Sequence, residues 1–148
     1  MMPQTLSQEA LKSRLSTLWT FVLINMLFAD IFSFMVPGAL QKMATGVVDG
    51  VALTPGFLLI AALLTEIPMA MIILSRLLSY RANRWANMLG GVFTILWVVG
   101  LGSATPHYIF IASVEVLCSG CIVWLAWRWR APESQRREDV AVTFATGD

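Results

Sequence analysis

The sequence has few charged residues for a chain of its length. Of its 148 residues, 13% are charged and 57% are hydrophobic, whereas about 25% of residues are charged in soluble domains. So little polar surface cannot cover a water-soluble fold of this size, and the excess apolar surface is expected to face lipid. The net charge of +1 is also smaller than the excess of basic residues that is typical of nucleic-acid-binding proteins. We therefore expect an integral membrane protein with the lipid bilayer, and no nucleic acid, as a partner.

Residues that serve metal, redox or nucleophilic chemistry are scarce. The chain has one histidine, His107, and two cysteines, Cys118 and Cys121, so the spacing of a four-ligand zinc site is absent. The cysteines form a C-x-x-C pattern, but they lie inside an apolar run and not at a helix N-terminus, where redox-active pairs are activated. Two small side chains packed in a helix are favoured over a redox pair. We predict no metal and no cofactor, and an enzyme is the least favoured class.

Four apolar runs are long enough to cross a bilayer, which requires about 20 residues. The predicted spans are residues 15–36, 56–79, 84–103 and 107–129. Pro37-Gly38 cannot continue the first helix, and a loop is expected to connect it to the second. Thr54-Pro55 and Thr105-Pro106 each combine an N-cap with a first-turn proline, and Asn83 is the predicted cap of the third helix. The fold class is therefore all-α, a polytopic bundle of four transmembrane helices.

The basic residues predict the orientation of this bundle. Only Lys42 lies in the first or third connection between spans. The other nine flank the opposite helix ends: Lys12, Arg14, Arg76, Arg81, Arg84, Arg128, Arg130, Arg136 and Arg137. Because positive residues are retained on the cytoplasmic side, both termini are expected to be cytoplasmic. The predicted organisation is a cytoplasmic segment at 1–14, a transmembrane domain at 15–130 and a polar cytoplasmic tail at 131–148.

Three acidic residues lie inside the predicted spans, namely Asp30, Glu66 and Glu115. Counted from the predicted outer helix ends, they lie roughly 9, 15 and 12 Å deep, and no lysine or arginine shares this layer. An ionisable residue within a span costs about 2.5–3.5 kcal/mol for Asp at the centre and usually marks a functional site. We predict that these acids, with Ser119 one turn beyond Glu115, bind a ligand or a proton. The structural alternative is that the carboxyls are protonated or hydrogen-bonded and only hold the helices together.

Three further features have predicted roles in the membrane. Pro68 follows Glu66 by two residues and is expected to bend the second span beside the acid. Arg81 and Arg84, in the turn between the second and third spans, are candidates for binding an anionic lipid headgroup, but a role in topology is the favoured explanation. Gly90-Gly91, Gly100 and Gly102, all in the third predicted span, are expected to let helix backbones approach closely, and such small-residue stripes leave homo-oligomerisation open.

Several motifs together form a recognisable pattern. They are Leu15-Ser16-Thr17-Leu18-Trp19, Ala29-Asp30-Ile31-Phe32, Val36-Pro37-Gly38, Glu66-Ile67-Pro68, Asn83-Arg84-Trp85-Ala86-Asn87, Val114-Glu115 and Trp124-Leu125-Ala126-Trp127. The pattern resembles an uncharacterised family of small four-span bacterial membrane proteins, a domain of unknown function, over about residues 15–129. The resemblance implies a multi-pass protein of the bacterial plasma (inner) membrane. More loosely, the layout is similar to the DoxX-like and the sterol-isomerase-like four-helix membrane proteins, the latter of which hold amphipathic ligands in an acid-lined pocket.

These observations favour one function and leave two alternatives open. The favoured function is binding of a small apolar or cationic ligand in an acid-lined pocket in the outer half of the bundle. The first alternative is a proton-coupled small-molecule exporter. The second is a structural or accessory membrane subunit without a ligand.

Overall fold

The structure, a computed structural model, describes residues 2–48, 50–100, 102 and 104–130. The predicted cytoplasmic tail at 131–148 lies outside these residues. The described part of the chain contains five helices and one two-stranded hairpin, in the order α1 (Met2–Met35), α2 (Ala39–Ala44), β1 (Val47–Val48), β2 (Val51–Ala52), α3 (Pro55–Leu77), α4 (Tyr80–Gly100) and α5 (Pro106–Arg128). The predicted all-α class is confirmed.

Local signals fix most of the helix ends. Helix α1 ends at Met35, before the predicted Pro37-Gly38 stop, and Gly38 adopts a left-handed conformation with φ +82°. The hydroxyl of Thr54 accepts the N–H of Phe57 at 3.1 Å, and Pro55 is the first residue of α3. Thr105 has the extended backbone of an N-cap before α5, although its side chain makes no capping hydrogen bond.

Two local predictions differ from the structure. Asn83 is not the cap of the third long helix, because α4 already begins at Tyr80 and the Asn83 N–H donates to the carbonyl of Ser79 at 2.8 Å. The connection between α1 and α3, predicted as a plain loop, contains helix α2 and an antiparallel hairpin in which Val48 lies opposite Val51.

Three helices in the described part of the chain are long and apolar enough to cross a membrane. They are Ser7–Met35 within α1, Pro55–Leu77 and Pro106–Arg128, and they indicate a membrane protein. Helix α4 is not among them because its first two turns carry two arginines and the asparagines Asn83 and Asn87. Both asparagines are fully buried against the other helices.

The four long helices enclose a common interior. Helix α1 packs against both α3 and α5, and α4 packs mainly against α5 and less against α3. On α5 the buried side chains recur every three or four residues, which places them on one helical face. They are Ile111, Glu115, Ser119, Ile122 and Ala126.

At Gly90 and Gly91 the structure agrees with the predicted close approach of helices, whereas a Cβ atom on Gly100 would meet nothing within 4 Å. A Cβ atom on Gly90 would lie 3.3 Å from the ring of Trp19 on α1. A Cβ atom on Gly91 would lie 2.6 Å from Cγ2 of Val123 and 3.2 Å from the backbone oxygen of Ser119, both on α5. The two glycines therefore let α4 approach α5 and the Trp19 side chain of α1 at one level.

Packing divides the bundle into two halves. The hydrophobic core lies towards the end of the bundle where α1 begins and α5 ends, and consists of Leu15, Trp19, Val22, Met71, Ile122 and Trp129. The opposite half is formed by the end of α1, the start of α3, the end of α4 and the start of α5. This second half contains a cavity.

Candidate functional site

The cavity has a volume of about 490 Å³ and is lined by all four long helices. Most of its wall is apolar. The lining residues are Leu23, Ile24, Met26, Leu27, Ala29 and Asp30 on α1, Ala61, Thr65 and Met69 on α3, Trp97 and Val98 on α4, and Tyr108 and Glu115 on α5. Its size lies within the range of small-molecule sites, about 300–1,000 Å³.

Two of the three predicted acids line this cavity. Asp30 is exposed, whereas Glu115 is only 3% exposed, so the acidic wall runs from the surface of the bundle to its interior. No lysine or arginine is among the lining residues, so no basic side chain in the wall compensates an ionised carboxylate there.

The inner end of the acidic wall has unsatisfied polar atoms. Oε1 of Glu115 and Oγ of Ser119 are buried and have no hydrogen-bond partner among the described residues. The two residues are four apart on α5 and therefore share a helical face. Ser119 is fully buried but is not one of the cavity-lining residues. A buried polar atom without a partner costs about 1–3 kcal/mol, so the Glu115 carboxyl is suited to receive a donor from a molecule in the cavity.

Two aromatic side chains complete the wall, and sequence reasoning missed both. The hydroxyl of Tyr108 donates to the backbone oxygen of Val98 at 3.1 Å, which fixes the ring beside α4. Trp97 contributes a second aromatic surface. Tyr108 precedes Glu115 by seven residues, which is two helical turns, so its spacing from the acid was a signal available in the sequence.

The third predicted acid lies elsewhere. Glu66 is exposed and is not among the cavity-lining residues, whereas Pro68, two residues later, is fully buried. Two residues correspond to about 200° around a helix, so the two side chains point to opposite sides of α3. Ligand or proton binding by Glu66 stays a prediction. The bend at Pro68 also stays a prediction, and α3 runs without a break from Pro55 to Leu77.

A buried polar network occupies the half of the bundle away from the cavity. The indole N–H of Trp19 and the hydroxyl of Ser75 both donate to Oδ1 of Asn87, at 2.8 and 3.1 Å. The amide of Asn87 donates to Oδ1 of Asn83 at 2.6 Å, and the amide of Asn83 donates to the backbone oxygen of Ser75, also at 2.6 Å. The network joins α1, α3 and α4, and it explains the asparagines whose role the sequence left unassigned or misassigned.

The remaining candidates have structural contacts. Nη2 of Arg84 donates to the backbone oxygen of Trp127 at 3.2 Å, which links α4 to the end of α5. Lipid binding by Arg81 and Arg84 stays a prediction. Both cysteines are free thiols, Cys118 half-buried against the core and Cys121 exposed. The preference for packed side chains over a redox pair stays a prediction.

Replacing Ser119 by alanine is expected to leave the free energy of unfolding unchanged or to raise it by up to about 1 kcal/mol. The substitution removes a buried hydroxyl that has no partner. The matched control is Ser75→Ala, which removes a buried hydroxyl that donates to Asn87 and is expected to lower stability by about 1 kcal/mol. Thermal unfolding of the three proteins in detergent measures both changes. An equal loss in the two variants would mean that the Ser119 hydroxyl is satisfied.

Comparison with known proteins places the chain in a family without giving it an activity. No curated protein and no solved structure matches the chain, so the looser likenesses to DoxX-like and sterol-isomerase-like proteins stay expectations. One family profile matches residues 6–135, and this range includes all four long helices from residue 6 onward and every residue of the cavity. The chain therefore belongs to the family of unknown function DUF6326.

Proposed function

We propose that α4 also crosses the membrane and that both termini are cytoplasmic. Helix α4 has 21 residues, about 31 Å at 1.5 Å per residue, and its asparagines point into the bundle rather than into lipid. The ends that carry the basic residues lie together: Tyr80 donates to the backbone oxygen of Trp129 at 2.8 Å, and Gln8 donates to that of Arg130 at 3.3 Å. The positive-inside rule then supports a cytoplasmic location for this end, and the bacterial plasma membrane fits the family resemblance.

We propose that the protein binds a small ligand with an apolar body and a cationic group in the cavity. The observation that carries this proposal is the convergence of Asp30 and the buried Glu115 on one apolar cavity, with Oε1 of Glu115 lacking a partner. Intramembrane acids that face a cavity generally bind or move a charged species. The cavity would lie in the outer half of the membrane, as the sequence predicts for Asp30 and Glu115.

The chemistry of the wall favours a cation with an apolar body. Two carboxyl groups without a basic partner can balance the charge of an amine, and the ligand's N–H would supply the donor that Oε1 of Glu115 lacks. Trp97 and Tyr108 offer aromatic faces, which attract cations within about 6 Å. The aliphatic side chains from α1 and α3 would cover the apolar body. A neutral ligand would leave the acidic wall uncompensated.

The expected result is that hydrophobic amines raise the unfolding temperature of the purified protein, and that Asp30→Asn and Glu115→Gln remove this effect. At an amine concentration about 100 times the Kd, the expected rise is about 5–10 °C for a chain of this size. Scanning fluorimetry in detergent measures it, with tertiary amines, sterols and quinones screened in parallel.

The matched control is Glu66→Gln, which removes an acid of the same type from the exposed face of α3. This variant is expected to respond to amines like the wild type, since Glu66 lies outside the cavity. Loss of the response in Glu66→Gln but not in Glu115→Gln would contradict the proposed site. Stabilisation by sterols or quinones alone, retained in both acid variants, would contradict the cationic ligand.

A further inference from the structure

A second cleft lies at the opposite end of the bundle from the cavity. It has a volume of about 460 Å³ and lies between the first turns of α1 and the last turns of α5. Arg14 enters it from α1, and Arg128 and Arg130 enter it from the end of α5. Leu11 and Leu125 provide an apolar part of the wall.

The charge of this cleft is uncompensated within the described residues. No acidic residue is among those that line it. Glu9, the acid nearest to it along α1, is bound by Lys12 at 3.6 Å, and none of the three arginines forms a salt bridge to a described acid. Three guanidinium groups in one concave region form a site for an anion with several oxygen atoms, since each can donate two parallel hydrogen bonds.

Contacts with neighbouring residues preorganise the cleft. The indole N–H of Trp129 donates to Oε1 of Gln8, and the amide of Gln8 donates to the backbone oxygen of Arg130, so the end of α5 is tied to α1. The guanidinium of Arg128 lies over the ring of Trp124, 5.1 Å from its centroid. The guanidinium of Arg128 and the backbone of Arg130 are thus positioned by contacts within the protein.

We propose that this cleft binds a phosphate group of an anionic phospholipid. The tryptophans and arginines belong to the part of a membrane protein that lies at the headgroup layer, and the leucines offer apolar surface beside the arginines for the lipid's glycerol and upper acyl chain. The phosphate would contact Arg14, Arg128 and Arg130 together, which would tie the first helix to the last. This site is separate from the cavity and does not depend on the function proposed for it.

The test is equilibrium binding of phosphatidylglycerol and phosphatidylcholine to the full-length protein in detergent, with inorganic phosphate as a third probe. Phosphatidylglycerol is expected to bind most tightly, because phosphatidylcholine adds a cationic group to the phosphate. The triple variant with Arg14→Gln, Arg128→Gln and Arg130→Gln is expected to weaken binding about 100-fold, at about fivefold for each arginine. The variant with lysine at the same three positions is expected to lose less affinity, because it keeps the positive charges and lacks only the planar guanidinium groups.

The matched control is Arg76→Gln, which removes one exposed basic residue from the end of α3 on the same side, outside the cleft. Binding by this variant is expected to be unchanged. Inorganic phosphate is the probe for a soluble ligand. If it binds as tightly as the lipid, and if the triple glutamine variant loses this binding, the result would support the phosphate site with a soluble molecule as the source of the phosphate. An equal loss in Arg76→Gln and in the single variant Arg128→Gln, or full binding by the triple glutamine variant, would overturn the proposal. If the triple glutamine variant does not fold, the single variant and the lysine variant decide the outcome.

Discussion

Replacing Asn87 by alanine is expected to lower the free energy of unfolding by about 2–4 kcal/mol. The side chain accepts hydrogen bonds from Trp19 and Ser75 and donates to Asn83, so its loss leaves two buried donors without an acceptor. One hydrogen bond between membrane helices averages only about 0.6 kcal/mol, but an unsatisfied buried donor costs about 1–3 kcal/mol. Denaturant or thermal unfolding in detergent measures the change.

Asn25→Ala is the matched control for this prediction. The amide of Asn25 donates only to the backbone oxygen of Phe21 in its own helix, so its loss is expected to change stability by no more than about 0.5 kcal/mol. If Asn87→Ala proves as stable as Asn25→Ala, the network does not hold α1, α3 and α4 together.

Replacing Gly91 by alanine is expected to lower stability by about 1–3 kcal/mol, the usual range for overpacking. The new methyl group would lie 2.6 Å from a methyl of Val123 and 3.2 Å from the backbone oxygen of Ser119. Val123 is β-branched and cannot easily turn away, and the backbone oxygen can move only if α5 moves. The expected consequence is a wider separation of α4 and α5, measurable as a lower unfolding temperature.

Gly120→Ala is the control that separates the effect of overpacking from the effect of helix propensity. Gly120 lies within α5, and a Cβ atom there would meet nothing within 4 Å. Alanine is favoured over glycine in a helix interior by about 1 kcal/mol, so this variant is expected to be as stable as the wild type or more so. If both glycine variants are stabilised alike, α4 and α5 do not approach as closely as the structure places them.

The sequence predicted the helices well where a local signal defined them. Thr54-Pro55 and Pro37-Gly38 act within one turn of the chain, and the structure places helix boundaries at both. Asn83 shows where local reasoning failed: asparagine is a common cap, but here its side chain donates to Ser75 on α3. The partner that decided its role lies in another helix, and only the tertiary structure shows that partner.

Only part of the candidate site could be predicted from the sequence, again because contacts with other helices decide which side chains belong to it. Depth along each helix could be counted from the sequence, and this brought Asp30, Glu66 and Glu115 into one layer, of which Asp30 and Glu115 line the cavity. Direction around the helix was harder to read. Glu66 and Pro68 are about 200° apart on α3, so only one of them can point into the bundle, and packing against α1 and α4 selects the proline.

The cavity itself could not be predicted from any single helix. It exists because the four long helices pack closely at one end, around Trp19 and the asparagines, and less closely at the other. Tyr108 and Trp97 become part of a wall only through this arrangement. A well-packed, hydrogen-bonded half that supports a more open half is a suitable design for a binding protein, since it keeps the lining residues in place.

Binding of one hydrophobic tertiary amine and of its neutral carbon isostere tests the proposed function most directly. Equilibrium binding would be measured for both compounds on the wild type, Glu115→Gln and Glu66→Gln. We predict that the wild type and Glu66→Gln bind the amine at least tenfold more tightly than the isostere, a difference of about 1.4 kcal/mol, and that Glu115→Gln loses this preference. Equal binding of the two compounds by the wild type, or a preference that survives in Glu115→Gln, would show that the acidic cavity does not recognise a cation.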